Sequence, residues 1–307
     1  MKILLTGATG FIGHQLVRVL SHENKLTILT RSPASAHHQL GAEHQYLGNL
    51  TSLSDFNEFD AVINLAGEPI VNKRWSEKQK QLICQSRWDM TSRIAELIKA
   101  SDSPPQVLIS ASAVGIYGQQ GAQPIDETYV LTSLDERTTN DFPLRVCSHW
   151  EELALSAQSD NTRVCIIRTG LVLGLSGGAL AKMLLPFKLG LGGPIGTGQQ
   201  GMSWIHQDDH INLIMFLLKQ TKCQGIFNAT APTPVSNYKF SKLLGQALSR
   251  PALMPMPTII LKLLLGEMSE LLTQGQYVLP ARAEEAGFKF TYPELEQAFS
   301  SLIENAK

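Results

Sequence analysis

Three glycines near the start of the chain, in Gly7-Ala8-Thr9-Gly10-Phe11-Ile12-Gly13, have the spacing that lets a backbone hold a pyrophosphate. Gly7 permits a sharp turn, Gly10 lets the backbone approach the phosphates, and Gly13 lets a helix pack close to the preceding strand. The ligating groups would be peptide amides between Thr9 and Gly13, at the positive end of a helix dipole. A second candidate is Arg31, in Thr30-Arg31-Ser32. An NAD site carries an acidic residue here to accept hydrogen bonds from the ribose hydroxyls. A guanidinium beside Thr30 suits a 2′-phosphate instead, through its charge and forked geometry. NADP(H) is therefore expected over NAD(H). The third candidate is the small-residue turn Leu65-Ala66-Gly67, which would let the backbone run along the adenosine half of such a ligand.

These residues need particular elements beneath them. Residues 2–6 are a short run of strand formers, and the helical spacing of Leu16, Val17 and Leu20 follows the glycines directly. A glycine triplet alone also marks ordinary turns; the order strand, glycine turn, helix makes it a dinucleotide fingerprint. Residues 26–29 read as a second strand ending at Arg31, and residues 60–64 as a third ending at the small-residue turn.

The chain has 307 residues, 43% hydrophobic and 17% charged, enough for one large α/β domain or a Rossmann domain with a smaller lobe. A net charge of -1 argues against nucleic acid or an anionic membrane surface as partner. Cys84, Cys147, Cys165 and Cys223 form no CxxC pair and fit neither a zinc site nor a disulfide framework, so no metal is expected and they read as buried small apolar residues. The opening residues lack a basic stretch before a long apolar run, so a cytoplasmic or organelle-matrix protein is expected. Residues 258–265 are apolar but too short to span a bilayer. The expected partners are a small-molecule substrate of unknown identity and a second copy of the chain in a homodimer, with neither nucleic acid nor membrane.

Further along, Ser76 is an N-cap for a helix reaching Lys99, with Leu82, Ile83, Ile94, Leu97 and Ile98 as core positions. Residues 107–110 and 164–168 read as strands, 143–157 as a helix, and 119–140 as a long polar loop. Gly177-Gly178 and the glycine-rich stretch 190–201 could cradle a ligand phosphate or simply supply flexible backbone. Asp208 or Asp209 could cap a helix or serve as active-site carboxylates.

Taken together, the glycine fingerprint, the turn Asn64-Leu65-Ala66-Gly67 and the stretch ISASAVGIYG at 109–118 resemble the extended short-chain dehydrogenase/reductases. Residues 167–174, 191–196 and 203–209 are similar to one poorly characterised epimerase-like subgroup of the NAD-dependent epimerase/dehydratase family. Its members are sometimes described as sugar-nucleotide epimerases or as cell-division-inhibitor-like. The resemblance covers essentially the whole chain. It implies an α/β fold, a Rossmann-type doubly wound parallel sheet with a smaller C-terminal substrate lobe. The Rossmann domain would be residues 1–174 and the lobe mainly 175–307, with segments returning to the sheet. It also implies a catalytic serine near Ser110 or Ser112, with Ser110 beside the cofactor as well. Arg87 would face the diphosphate, and Arg168 and the backbone at Val172 would lie beside the nicotinamide.

Typical members add a Tyr-x-x-x-Lys pair, in which the Tyr moves the proton and the Lys tunes it. This chain lacks the pair. Tyr117 is followed four residues on by Gly121 and Tyr129 by Ser133, and the helix start that should carry the pair has Pro143 and Cys147 at the two positions. Tyr117, Cys147 and His149 are the available substitutes. Two readings follow. One is an NADP(H)-dependent oxidoreductase or isomerase, of the reductase, epimerase or dehydratase kind, acting on a hydroxyl- or carbonyl-bearing metabolite with a non-standard acid. The other is a non-catalytic NADP(H)-binding sensor or regulatory protein.

Overall fold

The computed structural model describes residues 1–131 and 141–304. The first half runs β1 (Lys2–Thr6), α1 (Phe11–Leu20), β2 (Lys25–Leu29), α2 (Pro33–Leu40), β3 (Gln45–Leu47), β4 (Ala61–Asn64), α3 (Glu77–Lys99) and β5 (Val107–Ala113). A 3-10 turn at Val114–Tyr117 leads to β6 (Pro124–Ile125), α4 (Phe142–Leu155), β7 (Arg163–Thr169), β8 (Leu171–Leu173) and α5 (Gly178–Lys188). Then come β9 (Gly201–Met202), β10 (Trp204–His206), α6 (Gln207–Lys219), β11 (Gly225–Ala229), β12 (Val235–Ser236) and α7 (Asn237–Ala247). The chain closes with α8 (Thr258–Leu265), α9 (Glu270–Thr273), β13 (Tyr277–Val278), α10 (Ala281–Glu285) and α11 (Leu295–Glu304).

Seven parallel strands form the central sheet in the order β11-β7-β5-β4-β1-β2-β3. Parallel strands covered on both faces must be apolar on both, which is why they read as continuous hydrophobic runs rather than alternating ones. Ile3, Leu5, Ile63, Ile109 and Ile167 face one layer, made by Leu16 and Val17 of α1 and Leu213 and Ile214 of α6. Leu4, Val62, Leu108, Val164 and Ile166 face the other, made by Ile94, Leu97 and Ile98 of α3 and Ala154 of α4. The doubly wound architecture is thus as the resemblance implied.

Ser76 caps α3 by accepting from the Gln79 amide at 3.2 Å, and the helix runs to Lys99. Leu82, expected in the core, is 42% exposed because it falls on the outer stripe of α3. The edge strand β3 and the helix α2 had no strong periodic signature, so the strand ending at Asn64 is the fourth and not the third. Of the polar segment 119–140, residues 132–140 lie outside the described residues. Beyond residue 174, α6 packs on the sheet and β11 pairs with β7, while a separate cluster built on Trp204, Phe240, Phe299 and Leu302 holds α5, α7 and α11 together. Among the described residues no helix is long and apolar enough to cross a membrane.

Candidate active site

The strand order reverses between β1 and β4, and the carboxyl ends of these two strands open a crevice where doubly wound sheets bind ligands. Gly7 turns there at φ +71°, and a Cβ on it would lie 2.5 Å from the Leu65 carbonyl oxygen. A Cβ on Gly13 would lie 2.2 Å from the Gly7 carbonyl oxygen, so both glycines are required by backbone meeting backbone. Gly10 is looser: its nearest obstacle is 3.2 Å away. It is the extended N-cap of α1, with no side-chain cap and no acidic residue in the first turn. The Gly10 amide donates to Gly7 and the His14 amide to Gly10. That leaves the amides of Phe11, Ile12 and Gly13 without intrahelical acceptors, directed into the crevice. Thr9 sits exposed beside them, and Leu65, Ala66 and Gly67 form the opposite lip. At the tip of β2, Thr30 is half-buried and the Arg31 side chain is 94% exposed, 4.0 Å from the carboxylate of Glu68.

The far end of the crevice differs from expectation. On β5, residues 108, 110 and 112 are buried away from the crevice, whereas Ala111 lines it. Ser110 and Ser112 are therefore 0% and 3% exposed and do not reach the cleft. Ser112 donates to Glu151 at 2.6 Å. Arg168, on the same face of β7, forms a forked pair with Glu151 at 2.9 and 2.8 Å. Its guanidinium carbon lies 4.8 Å from the centre of the Tyr117 ring. Burial opposes the charge on Arg168, but hydrogen bonds and attraction from Glu151 outweigh it and its pKa is raised. Tyr117 is 1% exposed and donates to Asn228 Oδ1 at 2.8 Å. Burial pushes its phenol up, with Arg168 opposing, so it is a poorer acid than free tyrosine. Ser110, Ser112 and Tyr117, expected as catalytic groups, and Ser110 and Arg168, expected beside the cofactor, are thus buried, Ser112, Tyr117 and Arg168 with their polar atoms bonded within the protein. They belong to a closed polar layer: strand parity turns Ser110, Ser112 and Arg168 away from the crevice, and Tyr117, on the 3-10 turn after β5, is buried against Ile125, Cys147 and Val278.

The other substitutes fare no better. Cys147 is buried, and desolvation followed by the nearby Glu151 charge pushes its thiol up to about 12, far from a reactive thiolate. His149 lies on the outer face of α4, edge-on to Trp88 and 3.1 Å from Glu152. Val172 is buried in β8, paired with Ile205. Arg87 lies against Gly67, on the α3 side of the lip.

The crevice wall also contains a pair that the sequence did not disclose: Thr169 at the end of β7 and His210 of α6, with Thr169 Oγ1 3.1 Å from His210 Nε2. His210 is 1% exposed, its Nδ1 has no partner, and burial pushes its pKa down to about 4, so it is neutral. The signal that could have found it is its position one helical turn after His206 on a helix facing the sheet. Asp209 neither caps that helix nor faces the cleft. His206 is the cap, accepting from the Asp208 amide, and Asp209 is buried and accepts from the Thr291 and Tyr292 amides at 2.8 Å each. Gly177 and Gly178 make room for the Phe11 ring, and Gly193 and Gly201 let the backbones at Met254 and Gln276 approach. Those four glycines serve packing.

Residues 3–230 match the model of the NAD dependent epimerase/dehydratase family. The chain belongs to that family. Residues 256–302 match a domain of unknown function, DUF1731. Among relatives of this epimerase family member, the chloroplastic SDR39U1 homolog of Arabidopsis thaliana is 41% identical, covering 99% of this chain and 87% of that protein. The epimerase family protein YfhF of Bacillus subtilis is 37% identical, covering 100% and 99%. The crystal structure of human epimerase family protein SDR39U1 with NADPH superposes with a TM-score of 0.90 at 33% identity, over 99% of this chain and 100% of that one.

Proposed function

We propose that this family member is an NADP(H)-dependent enzyme of the reductase, epimerase or dehydratase kind, acting on a small hydroxyl- or carbonyl-bearing molecule. The observation that carries the reading is one juxtaposition: three unpartnered amides at the start of α1, and an exposed guanidinium rather than a carboxylate at the tip of β2. The NADPH held by the human relative supports the same choice of cofactor. The amides of Phe11, Ile12 and Gly13, with Thr9 and Gly10, would hold the diphosphate. Arg31 and Thr30 would hold the 2′-phosphate, Leu65 to Gly67 would flank the adenosine half, and Val172 the nicotinamide. When bound, the cofactor supplies or accepts hydride; this chain's residues orient it and exclude water. Residues 175–307 would shape the substrate side, with α6 and β11 belonging structurally to the sheet.

The test is Arg31→Ala, followed by titration calorimetry with both dinucleotides. A charge-assisted hydrogen bond is worth about 1.5–3 kcal/mol. NADPH affinity should therefore fall roughly 10- to 100-fold while NADH affinity stays the same. Equal losses for the two would defeat the NADP assignment.

The sensor reading has one observation in its favour. The crevice wall has Ala111 where a hydroxyl would be expected, and α4 offers Pro143 and Cys147 in place of the pair. NADPH-loaded protein offered a panel of aldehydes, ketones and nucleotide sugars separates the two. Oxidation or isomerisation by any of them supports the enzyme, and tight binding with no turnover across the panel supports the sensor.

A further inference from the structure

The C-terminal half of the chain carries an apolar ledge that no described part of the fold covers. Seventeen large hydrophobic side chains are exposed among the described residues, and eleven of them lie between positions 185 and 264. Leu185 and Leu189 stand one turn apart at the end of α5, with Leu191 just beyond. Leu253, Met254 and Met256 come from the proline-rich segment before α8. Ile259, Ile260, Leu263 and Leu264 come from α8 itself, where Leu261 alone is buried. These stretches lie side by side. The Met254 amide donates to the Gly192 carbonyl at 3.3 Å, the Met256 amide to the Pro194 carbonyl at 2.8 Å, and Arg250 Nε to the Lys188 carbonyl at 3.0 Å. Tyr238, also exposed, borders the ledge at Gly198. At about 100° per residue the four exposed positions of α8 form one stripe, and Lys262 falls outside it.

Single exposed leucines are ordinary, but a continuous run of them marks an interaction surface. The ten Leu, Ile and Met side chains present on the order of 1,000 Å² of accessible surface, against roughly 300–600 Å² for the largest patch of a typical monomer. Shape and charge say what covers it. Leu253 is 81% exposed, Leu263 75% and Ile259 70%, so they protrude; the walls of a groove built for a partner helix would shield one another. Residues 178–200 and 237–266, which carry the whole ledge, contain no Asp or Glu. They do contain Lys182, Lys188, Lys239, Lys242, Arg250 and Lys262, all exposed. The whole-chain charge of -1, which spoke against an anionic surface, is thus an average over unlike regions. Two copies meeting through this face would bring like charges together with no counter-charge from either.

We propose that the ledge docks this protein peripherally on an anionic membrane. Protruding apolar side chains enter the boundary between headgroups and acyl chains, and the cations around them meet the lipid phosphates. Among the described residues no helix is long and apolar enough to cross a bilayer. The eight residues of α8, about 12 Å long, lie in the interface instead of spanning it. The docking is independent of the cofactor reading, since the ledge shares no residue with the dinucleotide crevice.

The experiment pellets the full chain with sucrose-loaded vesicles of phosphatidylcholine alone or mixed with phosphatidylglycerol, beside a vesicle-free control. Sedimentation velocity on the protein alone gives its oligomeric state. The wild type should partition onto the mixed vesicles at least about tenfold more strongly than onto the neutral ones, and added salt should narrow that difference. Leu253→Ser combined with Leu263→Ser should lower partitioning roughly tenfold or more, as the loss of two inserted aliphatic side chains implies. Lys188→Gln combined with Lys262→Gln should remove the preference for anionic vesicles. All four positions are exposed, so the urea midpoint should match the wild type in both variants. If the serine variant fails to fold, the glutamine variant and the comparison of lipids decide. The proposal is overturned if the wild type stays in the supernatant with both vesicles, if it pellets equally with both, or if the serine variant partitions as the wild type does. A dimer that the serine variant dissociates also overturns it, and gives the ledge to a second copy of the chain.

Discussion

The two halves of the crevice are built from different material. On the β1 side the binding groups are peptide amides, held in place by three glycines. On the β5 side the polar groups are side chains, and they satisfy one another. Ser112, Arg168 and Glu151 are joined, and Arg168 lies over Tyr117, which bonds Asn228; beside them Thr6, Asn64, Thr91 and Trp150 form a second chain. Unsatisfied donors facing solvent make a binding site, whereas a saturated, buried network makes a scaffold. The same residue types that suggest catalysis in a sequence therefore fix α4 to the sheet here.

The sharpest way to break this contrast is Glu151→Ala. It strands the Arg168 charge at 2% exposure, and removing one partner of a buried ion pair costs about 3–5 kcal/mol. Urea unfolding should show that loss. If Glu151→Ala folded with wild-type stability and lost only turnover, the layer would be catalytic and the contrast wrong.

Gly13→Ala and Gly10→Ala test the other half as a pair. At Gly13 a methyl group meets backbone at 2.2 Å that cannot yield, so stability should fall by at least the ~1–3 kcal/mol typical of overpacking. At Gly10 the nearest obstacle is 3.2 Å away, so the fold should hold while NADPH binding drops by roughly tenfold or more, as the phosphates lose close approach. Calorimetry and urea unfolding on both proteins separate the effects. Equal stability losses would mean that Gly10 also serves the fold.

This division explains what the sequence disclosed. A backbone site announces itself, because only glycine meets its geometric demands, and so Gly7, Gly10 and Gly13 could be given separate roles. The helix from Ser76 was legible for a similar reason: a capping serine and a periodic apolar stripe are local signals. The side-chain half was not legible, because a strand buried on both faces has no polar alternation to show parity. Without parity, Ser110 and Ser112 could not be told from Ala111 as the residue facing the crevice. The Thr169–His210 contact spans two elements and two layers, so no local pattern contains it. The aspartate at 209 resembled a cap in sequence, but its acceptors meet the chain some eighty residues later.

Tyr117→Phe sharpens the contrast from within the scaffold. The ring would keep its place over Arg168, but Asn228 Oδ1 would lose its donor. Leaving one buried acceptor unsatisfied costs about 1–3 kcal/mol. Thermal unfolding should record that loss, with NADPH affinity unchanged. A variant of normal stability whose turnover was abolished would return Tyr117 to the role of proton donor.

His210 is where the contrast can be refined, since it brings one titratable side chain to the crevice wall. Its native pKa is held down to about 4 by burial, against an ordinary 6.5. Between those values the unfolded chain takes up a proton that the native state refuses, so the native state loses stability as pH falls from 6.5 toward 4 and is unaffected by His210 above 6.5. At pH 5 the loss amounts to about 2 kcal/mol. Urea unfolding at pH 7.5 and pH 5 should show this difference in the wild type and lack it in His210→Gln, which retains an amide to meet Thr169. NADPH should narrow the window if its binding gives Nδ1 an acceptor, because stabilising the protonated ring raises the native pKa toward 6.5. An identical pH dependence in the variant would place the imidazole outside the working crevice, as a packing group like its neighbours in the sheet.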